Sequence, residues 1–180
     1  MRYAVRDGRT WQVSSIVSGG IRGRFPSLVI DGADRPHVAW LDLDNGSQAG
    51  QPTGGTVRYA VLDGGAWQVQ DVARLENVLM GFNHARKSTS IALDSDDGPT
   101  IAYADQRSVM FARKINDAWV SEPVLEYQED IYKGLVVLRI GPGNTVGLVT
   151  WQAEDSQPGL IRIALRRDPV AAELSSFAVE

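Results

Sequence analysis

Ser27-Leu28-Val29-Ile30-Asp31, Pro36-His37-Val38-Ala39-Trp40, Arg58-Tyr59-Ala60-Val61 and Asp63-Gly64-Gly65-Ala66-Trp67-Gln68-Val69 follow one another in the first half of the chain. Apolar segments rich in β-branched and aromatic residues alternate there with Gly, Asp and Pro. The former suit a pleated, half-buried surface and the latter supply the backbone angles of tight turns. The stretch predicts four short antiparallel strands joined as hairpins.

The same unit returns on both sides. Arg2-Tyr3-Ala4, Arg58-Tyr59-Ala60, Met110-Phe111-Ala112 and Arg162-Ile163-Ala164 are separated by steps of 56, 52 and 52 residues. A tryptophan stands nine positions after the first residue of three copies, at Trp11, Trp67 and Trp119; Asp168-Pro169 and an Ala-rich stretch replace it in the fourth. Upstream of the last three copies lies a pair of strands: 27–31 with 37–40, 90–94 with 100–103, and 135–139 with 145–148. The connections Asp31 to Pro36, Asp94 to Pro99 and Ile140 to Asn144 are made of turn residues. A period near 50 residues marks propellers and arrays.

The first strand of each unit is almost continuously apolar, which predicts burial on both faces and a place nearest the common axis. The Trp-bearing strand alternates, as in Trp67-Gln68-Val69-Gln70, and is expected outermost with one wet face. The repeated tryptophans are expected to pack within each sheet. Helical periodicity is nearly absent, and 171–179 takes the slot of an outermost strand. The expected fold is all-β, a β-propeller fragment of about three and a half four-stranded antiparallel blades. It forms a single array over 1–180, with an outer half-blade at 1–20 and blades at 21–73, 74–125 and 126–180. Propellers are closed rings, so missing blades or a second chain are expected to complete it.

Composition sets bounds on function. With 180 residues, 43% apolar and 22% charged, the chain has the balance of a globular domain. There is no cysteine, hence no disulfide and no thiolate chemistry. A net charge of -4 with scattered basic residues argues against nucleic acid as partner. No apolar run approaches the roughly 20 residues of a membrane-spanning helix. The start, Met1-Arg2-Tyr3-Ala4-Val5, matches the interior of the repeat and not a secretory signal.

The unit Ser-Leu-Val-Ile-Asp, turn, Pro-His-Val-Ala-Trp, loop, Arg-Tyr-Ala-Val-x-Asp-Gly-x-x-Trp resembles the sialidase-like (BNR-type) repeats of a β-propeller superfamily. The likeness covers nearly the whole chain, best over 1–120. It implies relatives that include sialidases, polysaccharide-degrading propellers, lectin-like sugar binders and proteins of no known activity, many of them secreted or at the cell surface. Arg24-Phe25-Pro26 is similar to the Arg-Ile-Pro motif of sialidases, so Arg24 is the position to which that family's carboxylate-binding arginine carries over. Ser95-Asp96-Asp97-Gly98-Pro99-Thr100 departs from the Asp-box, with its glycine one position early and no following tryptophan.

A sialidase-type site needs convergent arginines, a carboxylate acid/base and an activated tyrosine. Arg24, Arg86 and Lys87 precede inner strands, as do Glu126, Glu129, Asp130 and Tyr132, which could share one rim of a central channel. A lyase would need a histidine general base. His84, in an insertion leading to an inner strand, is the better candidate; His37, at a strand start, reads as part of a turn or strand. The catalytic candidates are therefore Arg24, His84 and Tyr132, and the ligand-binding candidates Arg86, Lys87, Glu129 and Asp130. Asp42-x-Asp44-Asn45-Gly46 and Asp94-x-Asp96-Asp97-Gly98 crowd oxygen ligands as calcium loops do, but lack the later bidentate carboxylate, and hairpin turns account for both. No metal and no cofactor is expected. The role these residues suggest is binding of a glycan or protein through blade-top loops. The alternatives are part of a sialidase-like hydrolase or polysaccharide lyase, and a scaffold without ligand.

Overall fold

A computed structural model of the protein describes residues 1–18, 23–44, 47–48, 51–52, 54–76, 89–105, 108–126, 134–152, 160–167 and 175–178. Strands β1 (Arg2–Asp7) and β2 (Thr10–Ser15) form a two-stranded sheet. The first four-stranded sheet follows, from β3 (Arg24–Ile30) and β4 (Pro36–Leu43), then β7 (Gly54–Asp63) and β8 (Ala66–Glu76), in the order β3-β4-β7-β8. Between β4 and β7, the segment read from sequence as a loose loop holds a short ribbon, β5 (Ser47–Gln48) with β6 (Gln51–Pro52). The second sheet is β9 (Thr89–Leu93), β10 (Pro99–Ala104), β11 (Ser108–Ile115) and β12 (Ala118–Glu126), and the third is β13 (Gly134–Gly141), β14 (Thr145–Gln152), β15 (Leu160–Arg167) and β16 (Ser175–Ala178). Every pairing is antiparallel between sequence neighbours within a sheet, the arrangement that hairpin turns permit.

Two of the inner hairpins are closed by one device. The Asp31 carboxylate accepts the backbone N–H of Ala33 at 2.9 Å and of Arg35 at 2.7 Å, and Asp94 accepts those of Asp96 at 3.0 Å and Gly98 at 2.7 Å. In each turn the fourth residue, Asp34 or Asp97, adopts φ near 59°. A short carboxylate that caps its own turn explains why the unit's first strand ends in aspartate. The third hairpin differs from the sequence expectation. Ile140 and Gly141 belong to β13, paired with Val146 and Thr145, and only Pro142–Asn144 turn the chain, in a single 3-10 turn.

Adjacent sheets face one another, β3 lying against β9 and β9 against β13. The Ser27 hydroxyl accepts the Ile91 N–H at 3.1 Å, and the Ser90 hydroxyl accepts that of Leu138 at 3.0 Å. The repeated bond shows that Leu28, Ile91 and Leu138 occupy one slot in successive sheets, each opposite an apolar partner, Val38, Ile101 or Leu148. The third copy therefore registers two residues later than sequence spacing implied, with Val137 in the place of Ser27 and Ser90.

Three apolar layers fill the spaces between sheets. Ile16, Val38, Trp40 and Ala60 lie between the β1–β2 sheet and the first four-stranded sheet. Leu41, Val57, Tyr59, Ile91 and Ile101 lie between the first and second, and Ala102, Val109, Phe111, Leu138 and Leu148 between the second and third. Burial departs from expectation in the first sheet. It is β4, not β3, that is buried along its whole length, because β4 has a strand on either side and a sheet over each face. On β3, Leu28 and Ile30 are exposed, since the β1–β2 sheet covers only the outer part of its neighbour. The tryptophans also differ from expectation, for they join sheets. Trp67 meets Tyr3 and Trp119 meets Tyr59 edge-on, each with 5.3 Å between centroids.

Candidate functional site

Strand direction gives each sheet two unlike ends. One end carries the short hairpin turns of the inner strands, and these are tied across sheets. The Asn144 carboxamide accepts the Ser95 N–H at 2.8 Å and donates to the Ser95 hydroxyl at 3.0 Å. The other end carries the long connections: β4 to β7, β8 to β9 and β12 to β13. Function concentrates on such connections, held by a rigid scaffold.

At this loop-bearing end the first sheet gathers charge. Asp42, near the end of β4, is buried; its carboxylate accepts the Trp40 indole N–H at 2.8 Å and the Gly23 N–H at 2.9 Å. Arg58 on β7 places its Nε 3.2 Å from Asp42 and 3.1 Å from Asp71 of β8. That N–H is buried and aligned with neither carboxylate, so this contact is an ion pair without a well-formed hydrogen bond. Beside it Arg74 makes a two-pronged pair with Asp44, one prong at 2.7 Å. The pairing holds the Asp44 carboxyl below its ordinary range and raises the Arg74 guanidinium. Gly54 leaves room for this pair, since a Cβ would lie 2.6 Å from the Asp44 carboxylate and 2.9 Å from Arg74, and one of the two would have to shift. Asp42 and Asp44 are thus engaged by Arg58 and Arg74, and the hairpin-turn reading that fits Asp94 does not fit them.

Arg24, the first residue of β3, opens at the same end, is exposed, and lies opposite Leu41. The Arg-Phe-Pro motif shapes this start: Phe25 takes φ of 53° and the ladder with β4 slips between Arg24 and Ser27 before regular pairing begins. A bulge of this kind re-aims the side chain that precedes it. Glu126 closes β12, also at this end. His84, Arg86, Lys87, Glu129, Asp130 and Tyr132 lie outside the described residues, in connections whose flanking residues Glu76, Thr89, Glu126 and Gly134 all stand at the loop-bearing end.

A second polar group lies at the opposite end. His37 Nε2 is 3.0 Å from the Asp31 carboxylate, and His37 Nδ1 is 2.6 Å from the Tyr59 hydroxyl. Burial by itself would raise the Asp31 carboxyl. The hydrogen bonds from His37, Arg35 and Ala33 outweigh that effect and hold it well below the usual carboxylate range. An ionised Asp31 only accepts, so Nε2 carries a proton and donates to it, while Nδ1 shares a hydrogen bond with the Tyr59 hydroxyl. Burial pushes the Tyr59 hydroxyl up to about 12. His37 and Tyr59 are each 3% exposed, so no substrate reaches the trio, which locks the β3–β4 turn onto β7. This is the turn-and-strand role expected of His37. The arginine was not legible as its partner, although Arg35 Nε also bonds Asp31 at 2.7 Å.

Sequence reasoning missed the Asp42–Arg58–Asp71 group. The available signal was the Trp40-x-Asp42 spacing, which puts indole and carboxylate on one face of a strand. Among the described residues no cluster of His, Asp and Glu could hold a metal ion, and no helix is long and apolar enough to cross a membrane.

No family model and no curated protein matches the chain. Among solved structures it is similar to a fucose lectin from Kordia zhangzhouensis, solved in complex with methyl-fucoside. The TM-score is 0.53 at 11% identity, over 86% of this chain and 96% of the lectin. An α-L-arabinofuranosidase from Clostridium thermocellum gives a TM-score of 0.46 at 12% identity, over 87% of this chain and 51% of the enzyme. The chain is an all-β protein of β-propeller type, whose four-stranded antiparallel sheets do not close into a ring among the described residues.

Proposed function

We propose that this chain is a carbohydrate-binding propeller module that takes its ligand at the loop-bearing end of the sheets. The observation that carries the reading is the charged group there. Arg24 is exposed beside a buried Asp42 that already anchors Arg58, and Asp71 stands on the solvent side of the same pair. Guanidinium groups donate and carboxylates accept in fixed directions, which is how sugar hydroxyls are recognised. The fucose lectin, a propeller of similar extent, supports the class of ligand. The sialidase-like form of the repeat supports a glycan over a protein surface.

The test is a glycan array probed with the 180-residue chain, followed by titration of the best ligand. Arg24→Ala and Asp71→Ala are expected to weaken binding by about tenfold or more. Asp97→Ala, in a turn at the other end, is expected to leave it unchanged. No retained glycan, or a ligand lost with Asp97→Ala and kept with Arg24→Ala, would refute this reading.

A further inference from the structure

Register sets three side chains in one row across the first four-stranded sheet. Trp40 of β4 stands opposite Arg58 of β7, and Arg58 stands opposite Asp71 of β8. Facing residues of paired strands lie on one face of the sheet, and Asp42, two positions after Trp40, shares that face. Arg58 therefore has a carboxylate on either side of its Nε, Asp42 at 3.2 Å and Asp71 at 3.1 Å. The inner carboxylate is fixed, because Asp42 is buried and accepts the Trp40 indole N–H and the Gly23 N–H.

These contacts neutralise Arg58 without using up its donors. Among the described residues nothing accepts a bond from its two terminal amino groups, and its side chain is 25% exposed. Asp71, 65% exposed, meets Arg58 through Oδ1 alone, which leaves Oδ2 open to a donor. The terminal amino groups and Oδ2 are each joined through one carbon to an atom of the 3.1 Å contact, so donors and an acceptor stand side by side. Arg74 differs, since both of its terminal amino groups go to Asp44. The charge of the row is also settled. One guanidinium against two carboxylates leaves a net negative charge, which the exposed Arg24 at the same end only cancels, while Arg74 and Asp44 offset each other.

We propose, resting on the carbohydrate-binding reading of this end, that the Asp42–Arg58–Asp71 group takes a neutral sugar through two neighbouring hydroxyls and turns away sugars that carry a carboxylate. One hydroxyl oxygen accepts from a terminal amino group of Arg58, and the neighbouring hydroxyl donates to Asp71 Oδ2. A hydroxyl can do either, whereas a ligand carboxylate only accepts. Set beside Asp71, such a carboxylate would compete with it for Arg58 and be repelled by it. The arginines that a sialidase-type site directs at a substrate carboxylate are here already met by carboxylates of the chain itself. The buried anchor at Asp42 holds the guanidinium in place before the ligand arrives, which reduces the ordering cost of binding.

The test exposes the full chain to an array displaying neutral, uronic-acid and sialylated glycans at equal density. Titrations follow with the methyl glycosides of galactose, glucose and mannose, each beside its uronic-acid counterpart. Retention is expected on neutral glycans, with each uronic-acid counterpart weaker by about tenfold or more. Asp71→Asn, a change at an exposed position checked by an unaltered thermal melt, is expected to weaken the neutral sugar by about fivefold. The same variant should narrow the gap to the uronic-acid counterpart to less than about threefold, because the repelling charge is gone. Sialylated or uronic-acid glycans held as strongly as neutral ones, or a preference that Asp71→Asn leaves unaltered, would overturn the neutral-sugar assignment and leave the carbohydrate-binding reading standing. No glycan retained would overturn both.

Discussion

Trp119 of the second four-stranded sheet meets the ring of Tyr59 of the first at 63° with 5.3 Å between centroids, and its indole N–H donates to the Gln70 carboxamide at 3.1 Å. One aromatic pair and one hydrogen bond thus fasten the outer parts of two sheets. Removing the indole leaves a void and an orphaned partner. Trp119→Ala is expected to cost about 3 kcal/mol and Trp119→Phe about 1 kcal/mol in denaturant unfolding. Trp11 occupies the same repeat position but is 65% exposed, so Trp11→Ala should stay within about 0.5 kcal/mol. Equal costs at Trp11 and Trp119 would contradict the inter-sheet role.

Leu28 and Ile91 share a slot and differ in cover, which separates slot from sequence. Ile91→Lys buries an unpaired ammonium between sheets and is expected to cost about 4 kcal/mol or more, enough to prevent folding of a marginal protein. Leu28→Lys places the same group in water and should change stability by less than about 0.5 kcal/mol. Thermal melts of the two variants provide the check. A severe loss with Leu28→Lys would mean that β3 is covered.

The Asp31 carboxylate links the β3–β4 turn to acid stability. Its folded pKa lies below that of an unfolded aspartate. Such a group stabilises the fold fully above the unfolded pKa, about 4, and loses that contribution as pH falls through the folded value. Asp31→Asn is therefore expected to lower stability at neutral pH and to flatten the fall in stability below pH of about 4. Urea midpoints followed from neutral to strongly acid pH would show it. A parallel downward shift at every pH would contradict the linkage.

Replacing Gly54 tests the loop-bearing end. Gly54→Ala drives a methyl group into the Asp44–Arg74 pair and against the Leu75 carbonyl, 3.0 Å away. A loss of about 1–3 kcal/mol is expected, and Arg74→Ala in the same background should cost less than it does alone, because the pair is already parted. Additive losses would show that the two positions are independent.

The arrangement of strands was legible because it rests on local chemistry. Aspartates that cap their own turns, prolines opening β4 and β10, and tryptophans at a constant offset all act within one repeat. What sequence did not show depends on contacts between repeats. The periodicity of Trp67 and Trp119 gave their slot but not that each reaches across to a tyrosine of the neighbouring sheet. The apolar run of β3 matched that of β9, yet among the described residues only β9 has an inner hairpin over its second face. In the third hairpin, Gly143 at φ of 70° and Asn144 at φ of 56° turn the chain in fewer residues than the spacing suggested. Of the site candidates, Arg24 opens at the loop-bearing end as its position before an inner strand implied. The Asp42–Arg58–Asp71 group stayed hidden because its members come from three strands brought together only by sheet register.

The central claim, that like sheets stand side by side with β3, β9 and β13 as neighbours, is tested most directly by residue-resolved amide hydrogen exchange in Ser27→Ala and Ser90→Ala. Ser27→Ala is expected to speed exchange at Ile91 by about tenfold and to leave Leu138 unchanged, and Ser90→Ala to do the reverse. If each substitution instead altered exchange only in its own strand, or uniformly over the chain, the hydroxyls would not bridge successive sheets and the radial arrangement would be wrong.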